Sequence, residues 1–525
     1  MTCTTTQHTQ DFLTAPQLST DDFEELAASG IKTIINNRPD GEGGAEQPSS
    51  EMLSDAAAQV GIQYYYLPVV SGQLTDEQTQ KMAQILAAAP TPVLAFCRSG
   101  ARSTDLWQKS KAHLNTPAAQ VSKHGIVIVG GGAAGISLAS SLLKRQSNLI
   151  ITIIEPSEQH YYQPAWTLVG GGAFDVADSV RSMASVMPRQ VKWIKAAVTE
   201  FKPDANQVVL SNGASVDYEY LAVAPGLQIN WDAIEGLTET LGKNGVTSNY
   251  RFDLAPYTWT LVQGLKSGNA IFTQPPMPIK CAGAPQKAMY LACSEWLKQG
   301  TLNNINVDFF NAGAVLFGVE TFVPPLMAYV KKYDITLNFT ANLVKVDGPN
   351  KTAWFDVKDS NGDTVQVSRS FDMLHVVPPQ SAPDFLKKSE LGNADGWVDV
   401  DQYTLQHTRF KNIFGLGDAC SSPNAKTAAA TRKQVVAVAE NLISLMNNKP
   451  MTMLYDGYGS CPLTVERGKI VLAEFGFGGK LLPIFPLDPA KPRKMAWHLK
   501  KTILPWLYWN GMLKGREWLA KPVQN

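Results

Sequence analysis

Short runs of β-branched and aromatic residues alternate along this chain with stretches whose apolar positions recur at helical spacing, the pattern of strands with helices packed on them. The clearest case is His124 to Leu143. Ile126, Val127, Ile128 and Val129 form a continuous apolar strand, and Ile136, Leu138 and Leu142 mark the buried face of a helix. Between them Gly130, Gly132 and Gly135 spell GxGxxG. The first glycine allows a tight turn, the second lets backbone approach a pyrophosphate, and the third lets helix and strand pack closely. A second strand, Leu149 to Ile154, ends in Glu155, placed to bind a ribose hydroxyl. Strand, glycine turn, helix, strand and acid together predict a dinucleotide site. The same alternation comes earlier, in strands at 31–35, 62–69 and 92–96, and later at Lys192 to Val198, Tyr220 to Gly226 and Asn412 to Asp418. The fold class is therefore α/β, with more than one sheet.

Length and charge narrow the partners. A chain of 525 residues has room for about three domains. Lys plus Arg balance Asp plus Glu at 46 each, so no global field invites nucleic acid. The start, Met1 to Ala15, lacks the basic and apolar regions of a secretion signal and reads as cytosolic. No apolar run reaches the roughly 18 to 20 residues needed to cross a bilayer. Cysteines 3, 97, 281, 293, 420 and 461 are too scattered for a disulfide scaffold, so those in special surroundings are candidates for chemistry.

Residues 1–114 read as a separate α/β domain, joined by a small, polar linker at 115–123. Its last strand runs into Cys97-Arg98-Ser99-Gly100-Ala101-Arg102-Ser103 and then a helical pattern. Such a loop aims backbone N–H groups and a helix N-terminus at the sulfur, lowering its pKa and binding an oxyanion. Arg102 adds a two-pronged anion contact. Tyrosine-phosphatase loops place their arginine six positions after the cysteine; here it comes one residue sooner, making a tighter cradle, as in rhodanese-type sulfurtransferases. With NNRPDGE (36–42) and LPVVSGQLTDEQ (67–78), the domain resembles a phosphatase-like family fused to sulfur-metabolism enzymes. That resemblance implies sulfur transfer more than phosphate hydrolysis, with Cys97 and Arg102 catalytic.

The rest of the chain resembles the two-dinucleotide-binding-domain flavoproteins, and the cofactor this implies is FAD. Beyond Gly130, Gly132, Gly135 and Glu155, its expected contacts are Gln163, Val198, Pro225, Gly226, Gly417, Asp418, Lys426 and Thr427. The strand and turn from Asn306 to Gly318 keep Gly313 but carry Leu316 where a helix-packing glycine belongs, which argues against a nicotinamide donor. Cys281 precedes a helical stretch whose dipole favours a thiolate, and Cys420 follows Gly417-Asp418. These contexts, with YQPAWTLVGGG, KCAGAPQK, MLHVVPPQ, AKTAAA, YDGYGSCPL and LPWLYWNGMLKG, resemble the sulfide:quinone oxidoreductase family over almost all of 124–515. The resemblance implies a Cys281–Cys420 redox pair, with Cys281 carrying the persulfide and Cys420 meeting the flavin. It also implies hydrogen sulfide and quinone as substrates, and a small sulfur acceptor such as glutathione, sulfite or another thiol. Cys293 and Cys461 are expected in the core, Cys461 with some claim to lie near the quinone; Lys287 and Lys433 are expected as solvated lysines, and His375 as a proton relay or a core histidine.

From Asp488 onward basic residues, Lys500 among them, interleave with Trp497, Trp506, Tyr508, Trp509 and Trp518, and Pro505 is expected to interrupt any helix. Aromatic rings with basic neighbours and no spanning run predict an amphipathic tail lying in a membrane surface. The expected layout is 124–245 with 385–450 for FAD, 246–384 for a second Rossmann-like domain, and 451–525 for quinone and membrane. The protein is expected on the cytoplasmic side of a membrane, peripheral, without a metal ion, its tail also open to use as a homo-oligomer interface. The rival reading is an NADH:quinone oxidoreductase-like flavoenzyme carrying a protein phosphatase domain.

Overall fold

The computed structural model describes residues 4–114, 125–359, 361–520 and 523–524, and the chain divides into two compact units, Met1–Val121 and Ser122–Asn525. Cys3, the expected linker at 115–123 and Lys521 lie outside the described residues.

The first unit is a five-stranded sheet in the order Thr6–Thr9, Phe12–Ala15, Val93–Phe96, Thr33–Asn36, Gln63–Tyr66. The opening hairpin is antiparallel and the other pairs are parallel. Strand alternation divides its core in two: Ile35, Val93 and Ala95 face a layer with Met82, Leu106 and Trp107, whereas Ile34, Leu94 and Phe96 face Phe23, Leu26 and Leu53. Both faces are covered, as a parallel sheet requires. Cys97 follows the central strand directly, at its C-terminal edge, where open α/β sheets place their ligands.

The second unit carries two parallel five-stranded sheets. One has the order Lys192–Ile194, Ile150–Ile154, Gly125–Val129, Tyr220–Val223, Ile413–Gly415. Helices Ala133–Arg145 and Ala428–Met446 pack together over it. Gly135 is required here, because a Cβ would stand 1.9 Å from the Gly130 carbonyl oxygen. The strand expected at Lys192 to Val198 ends at Ile194; Val198 instead begins Val198–Lys202 in a separate three-stranded meander. The other parallel sheet runs Val246–Thr247, Met373–His375, Gly268–Gln274, Ile305–Asn311, Ile335–Phe339.

Residues near 460 do more than serve a quinone tail. The hairpin Gly459–Glu466 with Lys469–Phe475 packs on helix Ala284–Gln299, so Cys461, Leu463, Val465 and Val471 join the core of the second sheet. Gly283 permits that approach, since a Cβ there would stand 2.6 Å from Cys461 Sγ. Nor does Pro505 break the tail. Lys494–His498 continues through a π-helical turn, Leu499–Ile503, into Leu504–Asn510, and Pro505 directly follows that π-helical turn, where the regular α-helical bonding is already interrupted.

Candidate active site

One cavity of about 450 Å³ runs through the second unit. It is lined by Gly132, Glu155, Gln163, Pro225, Gly226, Gly417, Asp418, Lys426, Thr427 and Cys281, so residues expected to contact a dinucleotide share one space with a cysteine. Gly132 faces it, with nothing within 4 Å of where a Cβ would stand, and Glu155 is fixed by the backbone N–H groups of Gly131 and Ser157, each at 2.8 Å. Thr427 Oγ1 accepts the Ala430 N–H at 3.1 Å and caps helix Ala428–Met446, whose first residues also line the space. Burial pushes the Asp418 carboxyl up, against the pull of Lys426 and Lys280. Asn249 also lines the space, its amide packed against Gly170, where a Cβ would stand 2.2 Å from Oδ1. These groups fit FAD. Gly130 and Gly135 shape the turn without lining the cavity, and Val198 is core.

The sulfur pair is not the one expected. Cys281 Sγ lies 3.9 Å from Cys461 Sγ, in van der Waals contact and about 2 Å from disulfide length. Cys420 instead sits in the core under Gly417: its thiol donates to the Gly417 carbonyl at 3.3 Å, accepts from Gln434 at 3.8 Å, and burial pushes its pKa up. Burial outweighs the pull of Lys426, which donates to the Cys420 carbonyl at 3.1 Å, and holds that thiol neutral.

Cys281 is held from several sides. It takes a left-handed conformation, φ 49°, just before the helix; its N–H donates to Lys426 O at 2.8 Å and its carbonyl accepts from Ala284 N at 2.7 Å. Lys287, one turn into that helix and only 2% exposed, donates to Cys281 Sγ at 3.0 Å and to Cys461 Sγ at 3.5 Å. A hydrogen bond from Cys461 and the Lys287 charge overcome burial and draw the Cys281 thiol well down; the same bond, with burial, pushes the Cys461 thiol up. Because Lys287 is nearer to Cys281, that sulfur is the thiolate of the pair.

Lys500 adds a second cation. Expected on a lipid-facing tail, it turns inward from the π-helical turn, lines the cavity and donates to Thr167 Oγ1 at 3.3 Å. Burial, then the Lys287 charge, pull it down to about 7. Cys461, Lys287 and Lys500 are the residues that sequence patterns undervalued: each looks apolar-core or solvated along the chain, and only folding brings them to Cys281. His375 is a core histidine, its Nε2 accepting the Asn249 N–H at 3.0 Å and burial pulling it down to about 4. Cys293 is core, and Lys433 pairs with Asp456 at 2.8 Å. The turn after Ile305–Asn311 is filled by its own Asn311 side chain, bonded to Gly313 N and Val315 O, with Leu316 buried beneath.

In the first unit Cys97 is 0% exposed. Burial alone would raise its pKa, but backbone N–H groups of Ser103, Ser99 and Arg102, with the Ser103 side chain, outweigh it and bring the thiol down. Gly100, at φ 88°, turns the loop into helix Ala101–Leu114. Arg102 donates to Val69 O and to Glu42 Oε2, each at 2.6 Å.

A glycine-rich dinucleotide cradle, a second parallel sheet and a thiol pair opening on the shared cavity define a flavoprotein of the two-dinucleotide-binding-domain class. Residues 124–263 match the family model Pyridine nucleotide-disulphide oxidoreductase, and residues 5–114 match the phosphatase-like domain of Beta-lactamase hydrolase-like protein. The chain is 45% identical over 400 residues to the mitochondrial sulfide:quinone oxidoreductase of Dictyostelium discoideum, covering 75% of this chain and 87% of that one. It is 40% identical to the mouse mitochondrial enzyme over 410 residues, 78% and 91% of the two chains. The crystal structure of the Aquifex aeolicus sulfide:quinone oxidoreductase shares the fold, with TM-score 0.62 and 20% identity over 74% of this chain and 92% of that one. The chain belongs to the sulfide:quinone oxidoreductase family, a family of FAD flavoproteins, and carries an additional phosphatase-like domain at its N-terminal end.

Proposed function

We propose that the second unit oxidises sulfide at Cys281 and Cys461 and delivers the electrons through FAD to a quinone. The observation that carries this reading is the contact of those two sulfurs beside Lys287, with Cys281 on the wall of the flavin cavity and Cys461 behind it. With the pair closed as a disulfide, hydrosulfide attacks Cys461, whose sulfur becomes a persulfide while the electron pair of the broken S–S bond stays on Cys281 as a thiolate. Lys287 stabilises that charge. The assignment reverses the expected one for Cys281, because Cys281 is the sulfur that opens on Asp418 and Thr427. A small thiol removes the outer sulfur of Cys461 and leaves a second thiolate, and the two thiolates close again to the disulfide by giving up one electron pair. FAD, held by Glu155, Asp418 and Thr427, would supply the acceptor of that pair and its path to quinone. In sum hydrosulfide, a thiol and quinone become a persulfide anion and quinol, with both hydrogens on the quinol.

The same lining includes the apolar residues Phe485, Leu499, Leu504, Leu507 and Leu519, which suit a lipid-soluble quinone. Outside, Trp506 is 54% and Trp518 41% exposed, with Ile503 and Met495 also exposed. No helix among the described residues is long and apolar enough to cross a membrane. These observations support a protein lying on a membrane surface through residues of its tail.

For the first unit the reading is sulfane-sulfur handling at Cys97. On this reading persulfide sulfur made by the second unit passes to Cys97, directly or through a small thiol. The test is anaerobic: sulfide, not NADH, bleaches the flavin; decylubiquinone re-oxidises it; and Cys281→Ser and Cys461→Ser abolish the bleaching. Cys97→Ser leaves quinone reduction in place and changes the yield or identity of the sulfur product. Bleaching by NADH in place of sulfide overturns the reading.

A further inference from the structure

The Cys97 site has the loop of an anion-binding cradle, yet its arginine is already engaged. Arg102 Nη2 meets Glu42 Oε2 at 2.6 Å and its Nη1 meets Val69 O at 2.6 Å, so one N–H of each terminal nitrogen is committed to the protein while the guanidinium stays beside Cys97. Glu42 Oε2 also receives Arg38 Nε at 2.8 Å, and Arg38 Nη1 donates to Gln17 Oε1 at 2.9 Å. One carboxylate oxygen thus bridges two guanidiniums at the rim of the cysteine loop. The segment that carries it is built to stay. Arg38 lies against Gly43, where a Cβ would stand 2.6 Å from Nη2. Asp40 N–H donates to the Tyr66 hydroxyl at 2.9 Å, and Gly43 N–H to Gln47 Oε1 at 2.7 Å.

We propose that Glu42 is the specificity-determining residue of this site: it competes for one arm of the Arg102 fork and sets a fixed negative charge against a phosphate dianion, while the backbone cradle stays open to a singly charged persulfide sulfur. The inference rests on the sulfur-handling reading of the domain and gives its cause. A phosphate group needs the bidentate Arg102 contact and brings two charges close to a fixed carboxylate. A persulfide needs neither. The Cys97 thiolate attacks its outer sulfur, the bond between outer and inner sulfur breaks, and the leaving thiol departs with the proton, giving Cys97–S–S⁻ and RSH. The backbone N–H groups that hold the Cys97 charge serve the incoming sulfur equally.

The test uses the full-length, FAD-loaded protein and the Cys97-dependent part of sulfur transfer from glutathione persulfide to cyanide, the part absent in Cys97→Ser. Orthophosphate at pH 8 is the dianionic inhibitor and nitrate the monoanionic control. Glu42→Gln is expected to lower the half-inhibiting phosphate concentration by about tenfold, leave nitrate nearly unmoved, and bring measurable hydrolysis of p-nitrophenyl phosphate. Glu42→Asp, which keeps the charge, is expected to stay close to wild type. Unchanged phosphate inhibition in Glu42→Gln overturns the proposal, as does an equal shift for phosphate and nitrate, the mark of a loosened loop. Efficient p-nitrophenyl phosphate hydrolysis by the wild type overturns it as well. A wild type that moves no sulfur instead ends the sulfur-handling reading; the role of Glu42 is then decided by phosphate protection of Cys97 from iodoacetamide, which needs no turnover and is scored in the same way.

Discussion

Two cysteine sites in this chain are drawn toward the thiolate by different physics. Around Cys97 the stabilising groups are mainly main-chain: N–H groups of Ser99, Arg102 and Ser103 converge because a tight loop ends in a helix. Around Cys281 they are side chains from separate parts of the fold: Lys287 from the following helix, Cys461 from a hairpin about 180 residues on, and Lys500 on the tail close enough to add its charge. A main-chain cradle is encoded by one short stretch and tolerates side-chain change. A site assembled from distant side chains can be dismantled one substitution at a time, and its charge can follow pH or the seating of the tail.

The largest effect expected is at the sulfur pair. Cys461→Ser lowers the rate of anaerobic flavin bleaching by sulfide by roughly a thousandfold or more, as Cys281→Ser does, because neither a disulfide nor a persulfide can then form. Cys420→Ser stays within a few-fold of wild type. A dead Cys420→Ser beside an active Cys461→Ser would restore the Cys281–Cys420 pairing and undo the contrast.

Next comes the source of the charge. Lys287→Met removes the ammonium 3.0 Å from Cys281 Sγ, so the thiolate loses its partner and the thiol pKa rises toward that of a free cysteine. Iodoacetamide labelling of reduced Cys281 at pH 7, followed on its own peptide, is expected to slow by roughly tenfold or more. Arg102→Gln is expected to move Cys97 labelling by less, since the backbone N–H groups remain. Equal shifts in the two variants would show that the first site is no more a main-chain device than the second.

These two sites also differ in how legible they are along the chain. Cys97 to Ser103, and the turn at Gly130, Gly132 and Gly135, are local: strand, special backbone and helix stand side by side, and the periodicity that predicts the strand also predicts where its ligand edge lies. The pairing of Cys281 is set by register. Cys461 faces Ala473 in a hairpin whose face is chosen by Leu463, Val465 and Val471 packing on a helix. Its sequence neighbours make it look like core, which it also is. Cys420 misled for the converse reason: nearness to Gly417-Asp418 along the chain puts its backbone near the cavity but leaves its thiol beneath the turn. Pro505 misled because the π-helical turn before it already interrupts the regular α-helical bonding, and that same turn carries Lys500 inward.

Lys500 gives the third, smaller effect. Its ammonium, held at about 7, is charged below that pH and neutral above it, so its attraction for the sulfur anions is lost as pH rises through that value. The bleaching rate, normalised to the hydrosulfide present, is expected to carry a component that falls across this range. Lys500→Met is expected to remove that component and to cost roughly threefold at pH 6, with little cost at pH 8. A normalised profile identical in the two proteins would assign the electrostatics of the pair to Lys287 alone.

The smallest effect on sulfide oxidation is expected where the tail turns outward. Trp506 and Trp518 stack at 5.6 Å, nearly parallel, and both remain largely exposed, whereas Trp497, Tyr508 and Trp509 are buried. Arg145 bonds Glu517 and Glu440, and Ser140 Oγ donates to Leu513 O at 2.7 Å, so this end of the tail is fixed on the FAD-side helix by polar groups. The exposed faces of these two tryptophans are suited to the headgroup layer. Replacing both with alanine is expected to reduce co-sedimentation with anionic liposomes by about fivefold. Flavin bleaching by sulfide in detergent should remain at the wild-type rate, because Lys500 and the sulfur pair are untouched. Quinone reduction should fall only when the quinone is supplied in the vesicles. If liposome binding is unchanged, the stacked pair does not meet lipid; if bleaching falls too, the outer face of the tail is not separable from the inner face that carries Lys500.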